Sequence, residues 1–326
     1  MRPLVLLGST ADPHLGWIRD AVRAAGDAEV HIVDHATSRI QLDVDAHGAW
    51  DLRIDGMEIA RDFVVFDRAK LQLGSPFYVA GDDPAQSHTR AFVADEWNAL
   101  HRLICSLASR VLNPLEARSL LTKPYQQIVA AACGLLVPET CVSNDKAALL
   151  KRLDGWGGQG VMKSLSGAII RLDPADDRDN RVFMTTAVTR DELAAADGAE
   201  VGIIPNFLQA EIVKSFELRL VWVDGRQACF DIDSQRYETT RLDWRYSTSA
   251  LEFGDFALPA TVAAQVDRFM ERIGLFCGSL DFIVDTDGRY WFLECNQQGA
   301  WGWLDGPRDG RIARMFADGI VAVLAA

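Results

Sequence analysis

Two carboxylates and an amide, Asp281, Glu294 and Asn296, lie in the stretch 279–296 on either side of an Asp287-Gly288 pair. Asp-Gly between alternating apolar runs signals a β-hairpin, because a type I′ turn needs positive φ at both central positions. With Asp287-Gly288 as that two-residue loop, Thr286 faces Arg289. Asp281 then falls directly opposite Glu294, with Cβ atoms about 4.5–5.5 Å apart. Asn296, two residues beyond Glu294, projects from the same face. Like charges opposed across strands destabilise a sheet unless something compensates them. Hard oxygen donors from a pair of carboxylates, completed by substrate phosphates, suit Mg2+ and not zinc. The alternative is a solvated hairpin face with incidental acids. The neighbours Phe282, Ile283, Trp291, Phe292 and Leu293 argue against it, since unpaired acids in a buried strand pair are costly.

Cations and a carboxylate upstream could hold a nucleotide. Lys163 ends an apolar run before the small-residue loop Ser164-Leu165-Ser166-Gly167. Such a loop brings backbone N–H groups to phosphates while the ammonium neutralises charge. Lys123, at a helix start, is a second candidate; its plainer reading is an exposed first-turn lysine. Gln209-Ala210-Glu211-Ile212-Val213 reads as an apolar strand whose backbone can pair with an adenine edge. Glu217 can then accept from ribose hydroxyls, and Arg219 shares its face, which suits a phosphate clamp. A surface ion pair between Glu217 and Arg219 is the alternative.

These residues need elements to position them. Residues 4–8, an expected helix to Ala25 and residues 30–33 open an α/β layer. Gly8 there is a tight turn before it is a nucleotide signal. Strands are expected at 51–54 and 63–66 with Asp55-Gly56 as the turn between them, and a long helix at 85–109. A second unit starts near Leu115. Its helix runs from a Thr122 cap to Cys133, ended by Gly134, and another covers 145–153. After a glycine-rich turn, 155–160, strands are expected at 161–164, 168–172 and 182–188. A third unit from Phe207 holds hairpins at 217–232 and 279–296, a helix at 259–273 and a terminal helix from Arg311.

Composition narrows the classes. The chain has 326 residues, 49% hydrophobic, enough for two or three packed units. A net charge of −13 argues against nonspecific nucleic-acid or anionic-membrane binding, which need clustered cations. The six cysteines form no Cys-x-x-Cys pair, so buried thiols in a reducing cytosol are expected instead of zinc or disulfides. Without a signal-like or 18-residue apolar run, the expected location is cytoplasmic.

The order Lys123, Lys163, Glu211-Ile212-Val213, Glu217, Arg219, Asp281 and Glu294-Cys295-Asn296 resembles the ATP-grasp superfamily of carboxylate–amine ligases, from about Leu112 to the end. Within it the chain looks like the microviridin-type maturases of ribosomal peptides (graspetide ester and amide ligases). Asn113-Pro114, Gly134 to Thr140, Glu217-Leu218-Arg219-Leu220, Ile232-Asp233-Ser234-Gln235, Asp243-Trp244-Arg245 and Phe292 to Trp301 carry this closer likeness. The pattern departs at Phe66-Asp67-Arg68-Ala69-Lys70, where a Trp and paired arginines are expected, and at Gln297-Gln298 in place of Pro-Asn.

The resemblance implies an α/β (α+β) fold of three units: a pre-ATP-grasp domain at 1–114, a central subdomain at 115–206 and a C-terminal subdomain at 207–326. It implies ATP and Mg2+ as cofactors. Lys123 and Lys163 would contact phosphates, Gln209 and Glu211 to Val213 the adenine, and Glu217 the ribose. Asp281, Glu294 and Asn296 would hold the metal, with Arg219 and Lys163 as the catalytic cations. Family members bind the leader of a precursor peptide and link Asp or Glu to Thr, Ser or Lys side chains of its acidic core. Such a peptide is the expected partner; a homodimer is compatible with this. The rival is a ligase of free amino acids or protein tails, like glutathione synthases and ribosomal-protein glutamate ligases. A nucleotide-sensing module that lost catalysis is a rival of another class.

Overall fold

The computed structural model describes residues 1–69, 85–165, 169–170, 181–246 and 251–326. The chain opens with β1 (Leu4–Leu7), α1 (Pro13–Ala25) and β2 (Val30–Val33). Then come β3 (Ile40–Val44), β4 (Trp50–Ile54), β5 (Met57–Ile59), β6 (Val64–Asp67), α2 (Ala85–Leu107) and β7 (Arg110–Leu112). Strands β2-β1-β6-β7 form a parallel sheet in that order. The residues of β1 and β6 are buried throughout, as expected when both faces of a parallel sheet are covered. Asp55-Gly56 does make a two-residue turn, but it joins β4 to β5 in a separate antiparallel sheet with β3. Residues 63–66 pair instead with β1 and β7, because a fully apolar run is better buried in the central sheet.

The next elements are α3 (Leu115–Leu120), α4 (Lys123–Ala132), β8 (Thr140–Ser143), α5 (Lys146–Gly155) and β9 (Gln159–Lys163). They continue through β10 (Ile169–Ile170), β11 (Arg181–Val182), β12 (Thr186–Thr189), α6 (Arg190–Ala195), α7 (Gly198–Gly202) and β13 (Asn206–Gln209). Sheet order is β12-β9-β13-β8, all antiparallel, with β10 and β11 as a separate pair. The anticipated strand at 182–188 is thus split, and most of 168–172 lies outside the described residues, as does Ser166-Gly167. The unit boundary drawn at 206/207 falls inside β13. Nor does α4 pack on this small sheet: Val129, Ala130 and Cys133 join the core of the C-terminal sheet.

That last sheet, β16-β15-β14-β17-β18, is antiparallel. It comprises β14 (Lys214–Val223), β15 (Arg226–Ile232), β16 (Phe253–Asp255), β17 (Cys277–Asp285) and β18 (Tyr290–Asn296). Helix α8 (Ala260–Ile273) covers one face, its buried Val262, Val266, Phe269, Met270 and Ile273 following helical spacing. Helices α9 (Gly302–Asp305) and α10 (Arg311–Ala325) close the chain. Buried side chains of α10 pack with Leu4, Leu6, Val221 and Phe230, so the first and last units share one core. Among the described residues no helix is long and apolar enough to cross a membrane. The cysteines are free thiols, all buried except half-buried Cys141.

The β17–β18 hairpin corrects one expectation and preserves its consequence. In the two-residue turn at Asp224-Gly225, both residues have positive φ, 46° and 81°. At the second hairpin only Gly288 does, with φ 77°, and Asp285 N–H donates to Arg289 O at 3.0 Å. The loop therefore has three residues, the usual partner of a glycine bulge. Pairing near the turn is displaced by one residue, Val284 opposite Tyr290 and Phe282 opposite Phe292. A bulge at Leu293 then restores Asp281 opposite Glu294 and Ser279 opposite Asn296.

Candidate active site

Three neighbouring strands build the acidic centre. Arg219 on β14 lies opposite Asp281 on β17, which lies opposite Glu294 on β18. Arg219 Nη1 donates to both Asp281 oxygens at 2.7 and 2.8 Å. Asn296 Nδ2 donates to Asp281 Oδ2 at 3.2 Å and Glu294 Oε1 at 3.4 Å. Glu294 Oε2 is 3.4 Å from Lys123 Nζ, which also donates to Ser164 O at 3.1 Å. The two carboxylates are pushed apart in acidity. Burial raises Asp281 against the pull of Arg219, and the charge of Glu294 adds to the rise. Burial works to raise Glu294 too, but Lys123, Lys163 and Arg245 outweigh it and hold it low.

Strand β18 is a sheet edge, and α4 and its following turn complete it. Gln126 Oε1 accepts from Cys295 N–H at 2.6 Å, while its Nε2 donates to Cys295 O at 3.2 Å. Leu136 O accepts from Phe292 N–H at 2.8 Å. The backbone between Glu294 and Asn296 is therefore fixed on both sides. Gln126 escapes sequence reading except as the residue one helical turn beyond Lys123.

A cleft of about 420 Å³ lies between the central and C-terminal sheets. It brings together Lys123, Lys163, Gln209, Glu211, Ile212, Val213, Glu217, Asp281 and Glu294. The segment 210–213 is not the anticipated strand. It crosses between β13 and β14 outside either ladder, with Glu211 and Val213 exposed and only the Ala210 N–H tied back, to Glu139 O at 2.9 Å. Burial drives the Lys163 ammonium down to about 8 despite the Glu294 charge. Glu217 is raised by burial, partly offset by Lys214, whose Nζ sits 2.6 Å from its Oε1.

Arg219 does not pair with Glu217, and neither Arg219 nor Asn296 lines this cleft. Both face a second cavity of about 420 Å³, walled also by Trp244, Arg245, Gln298, Ala300 and Trp303. The two cavities share Asp281, Trp244 and Arg245. Asp243 anchors Arg245 through contacts of 2.8 and 2.6 Å. Burial opposes its ionisation, but Arg245 prevails and brings Asp243 to about 2. Lys214 and Arg245 were missed as site residues; the Asp243-Trp244-Arg245 run was the available signal for the second. Among the described residues no three His, Cys, Asp or Glu side chains converge. Two carboxylates, with the Asn296 amide oxygen turned to join them in place of its Nδ2, would leave the remaining positions of a hard cation to phosphates and water, which fits Mg2+.

No protein-family model matches the chain, and no curated protein does. Solved structures do. One is a RiPP-associated ATP-grasp ligase of Chryseobacterium gregarium in complex with ADP and a leader and core peptide. It is 22% identical, with TM-score 0.82 over 98% of this chain and 96% of that one. The macrocyclase MdnC of Microcystis aeruginosa MRC, bound with precursor peptide MdnA, is 25% identical, with TM-score 0.77 over 98% and 99%. PsnB, an ATP-grasp ligase complexed with a precursor variant, Mg and ADP, is 20% identical, with TM-score 0.74 over 100% and 99%. The chain has the ATP-grasp ligase fold. Its likeness is to ligases of the microviridin-maturase kind.

Proposed function

We propose that the chain is an ADP-forming ligase acting on a ribosomal precursor peptide with a leader and an acidic core. It activates an Asp or Glu side chain and joins it to a Thr, Ser or Lys side chain as an ester or amide. One observation carries the reading: Asp281 lines two cavities, the first shared with Glu294, Lys123, Lys163 and Lys214 and the second with Asn296, Arg219 and Arg245. The first suits ATP. Lys123 and Lys163 face its phosphates, 209–213 its adenine and Glu217 its ribose. The second suits the donor carboxylate, met by Arg219 and Arg245. The solved neighbours in complex with ADP and with leader and core peptide support a nucleotide and a peptide as the substrates.

Asp281, Glu294 and Asn296 would hold Mg2+, which supplies charge neutralisation at the phosphates. The donor carboxylate oxygen attacks the γ-phosphorus, and the bond to the leaving ADP oxygen breaks. The acceptor oxygen or nitrogen then attacks the acyl carbon. Phosphate departs with the donor's oxygen, and the acceptor proton leaves to water or phosphate. Lys163 and Arg219 stabilise the charge that moves between these oxygens.

The test uses a leader-bearing acidic peptide carrying oxygen-18 in its donor carboxylates, with Mg2+ and ATP. The peptide should lose one water per bond, with one labelled oxygen in each released phosphate. Label in AMP, or none in phosphate, would overturn the acylphosphate route. A peptide of unchanged mass under turnover would overturn the cross-linking.

A further inference from the structure

The segment 297–302 follows Asn296 directly and forms a wall of the second cavity. On one side it touches the reaction centre: Ala300 O accepts from Arg219 Nη2 at 3.4 Å. A Cβ at Gly299 would stand 2.4 Å from Ser279 Oγ and 3.1 Å from Arg219 Nη2, so the segment lies hard against that arginine. On the other side the N-terminal unit holds it. Arg68 Nη1 donates to Gln298 O and Gly299 O, each at 3.4 Å. Arg68 Nε donates to Asp12 Oδ2 at 2.7 Å, and Asp12 Oδ1 is 2.6 Å from His14 Nδ1. His14 Nε2 accepts from the N–H groups of both Trp301 and Gly302, at 3.1 and 3.0 Å. A ring nitrogen that accepts two N–H groups carries no proton, which places the proton on Nδ1, donated to Asp12. His14 and Arg68 are buried, and Trp17 and Trp301 pack edge-on against the His14 ring.

We propose that Asp12, His14 and Arg68 are positioning residues for the reaction centre, acting through 297–302. Neutral His14 latches Trp301 and Gly302, Arg68 ties down Gln298 and Gly299, and Asp12 aligns both. The latched segment fixes Arg219 against Asp281 and sets the direction in which Asn296 leaves β18. None of the three residues reaches either cavity, so the N-terminal unit governs the metal geometry without touching substrate. This rests on the metal reading above only for its effect on cation binding; the latch itself is read separately.

The experiment compares wild type with His14→Phe, which removes the acceptor, and His14→Gln, whose amide oxygen can take its place. Backbone amide exchange at Trp301 and Gly302 reads the latch. Mn2+ binding to the ADP-loaded protein, by electron paramagnetic resonance, reads the centre, and ADP binding without metal reads the nucleotide cleft. In His14→Phe both amides should exchange about tenfold faster or more. Mn2+ should bind about tenfold weaker, with ADP affinity unchanged. His14→Gln should restore both amide protection and Mn2+ affinity. Wild-type protection or Mn2+ affinity in folded His14→Phe overturns the proposal, as does a failure of His14→Gln to restore them. Should His14→Phe not fold, Arg68→Met takes its place, read by Mn2+ affinity, with the same expected loss and the same refutation. If wild type itself binds no Mn2+, the metal reading fails, while amide exchange still decides the latch.

Discussion

Replacing Lys163 by Met should make the ligand-free protein more stable and weaken its hold on nucleotide. Lys163 is held charged among Lys123, Glu294, Glu217 and Asp243, and burial brings its ammonium from 10.5 down to about 8. At about 1.36 kcal/mol for each pH unit, that fall corresponds to about 3 kcal/mol of native-state destabilisation near neutrality. The sign follows from proton counts. Between about pH 8 and 10.5 the unfolded chain binds the proton and the folded chain releases it, so stability contributed by this group rises with pH across that window. Below pH 8 both states are protonated, and the full penalty is present. Met keeps the apolar stem and removes the charge. Urea unfolding of both proteins at pH 7, 8, 9 and 10, without nucleotide, measures the difference. Lys163→Met should be more stable at pH 7 by about 3 kcal/mol, and the gap should close toward pH 10. Its ATP affinity, by calorimetry with Mg2+, should fall about 100-fold or more, since the phosphates lose the cation aimed at them. Equal stability with a parallel pH course would refute the buried-charge argument. An ATP affinity within threefold of wild type would remove Lys163 from the nucleotide site.

Two further outcomes test the centre and its support. Glu294→Gln removes one of the two opposed charges at nearly constant volume; ADP release should drop about 100-fold or more with the circular dichroism spectrum unchanged, and near-normal turnover would remove Glu294 from the metal site. Asn113→Ala deletes buried hydrogen bonds to Cys277 N, Cys277 O and Gln297 O, at 2.9, 2.9 and 3.0 Å. It should lower unfolding stability by about 3 kcal/mol or more in urea, and a loss below about 1 kcal/mol would mean water satisfies those groups.

The chemistry of the centre was legible because strand periodicity is a local property. Asp281, Glu294 and Asn296 share a face whenever the flanking strands pair, and the apolar residues around them announce that these strands are buried. Even so, the register came out right through two irregularities that offset each other, a three-residue loop and a bulge at Leu293. Neither leaves a mark in the residue types, because Asp-Gly suits both kinds of turn and a bulged leucine looks like any other. In the same way 63–66 reads as a strand, but nothing within it says that β1 and β7 will be its neighbours instead of β4.

Partner choice among distant charges was decided only by the tertiary structure. From spacing alone Arg219 shares a face with Glu217, as a phosphate clamp beside it or as its ion-pair partner. The sheet sets it opposite Asp281, 62 residues away, and gives Glu217 to Lys214. Likewise nothing in the sequence ties Asp12, His14 or Arg68 to the segment they hold, which lies more than 200 residues away. The sequence determined which residues could carry charge, which faces they occupied and that a hairpin with opposed acids would form near the end of the chain. Which charges neutralise one another follows from how the parallel sheet and the antiparallel sheet pack on a common core. The reason is physical: facing and burial propagate along the backbone with a fixed period, whereas a Coulombic or hydrogen-bonding partner is set by approach through space, which no period encodes.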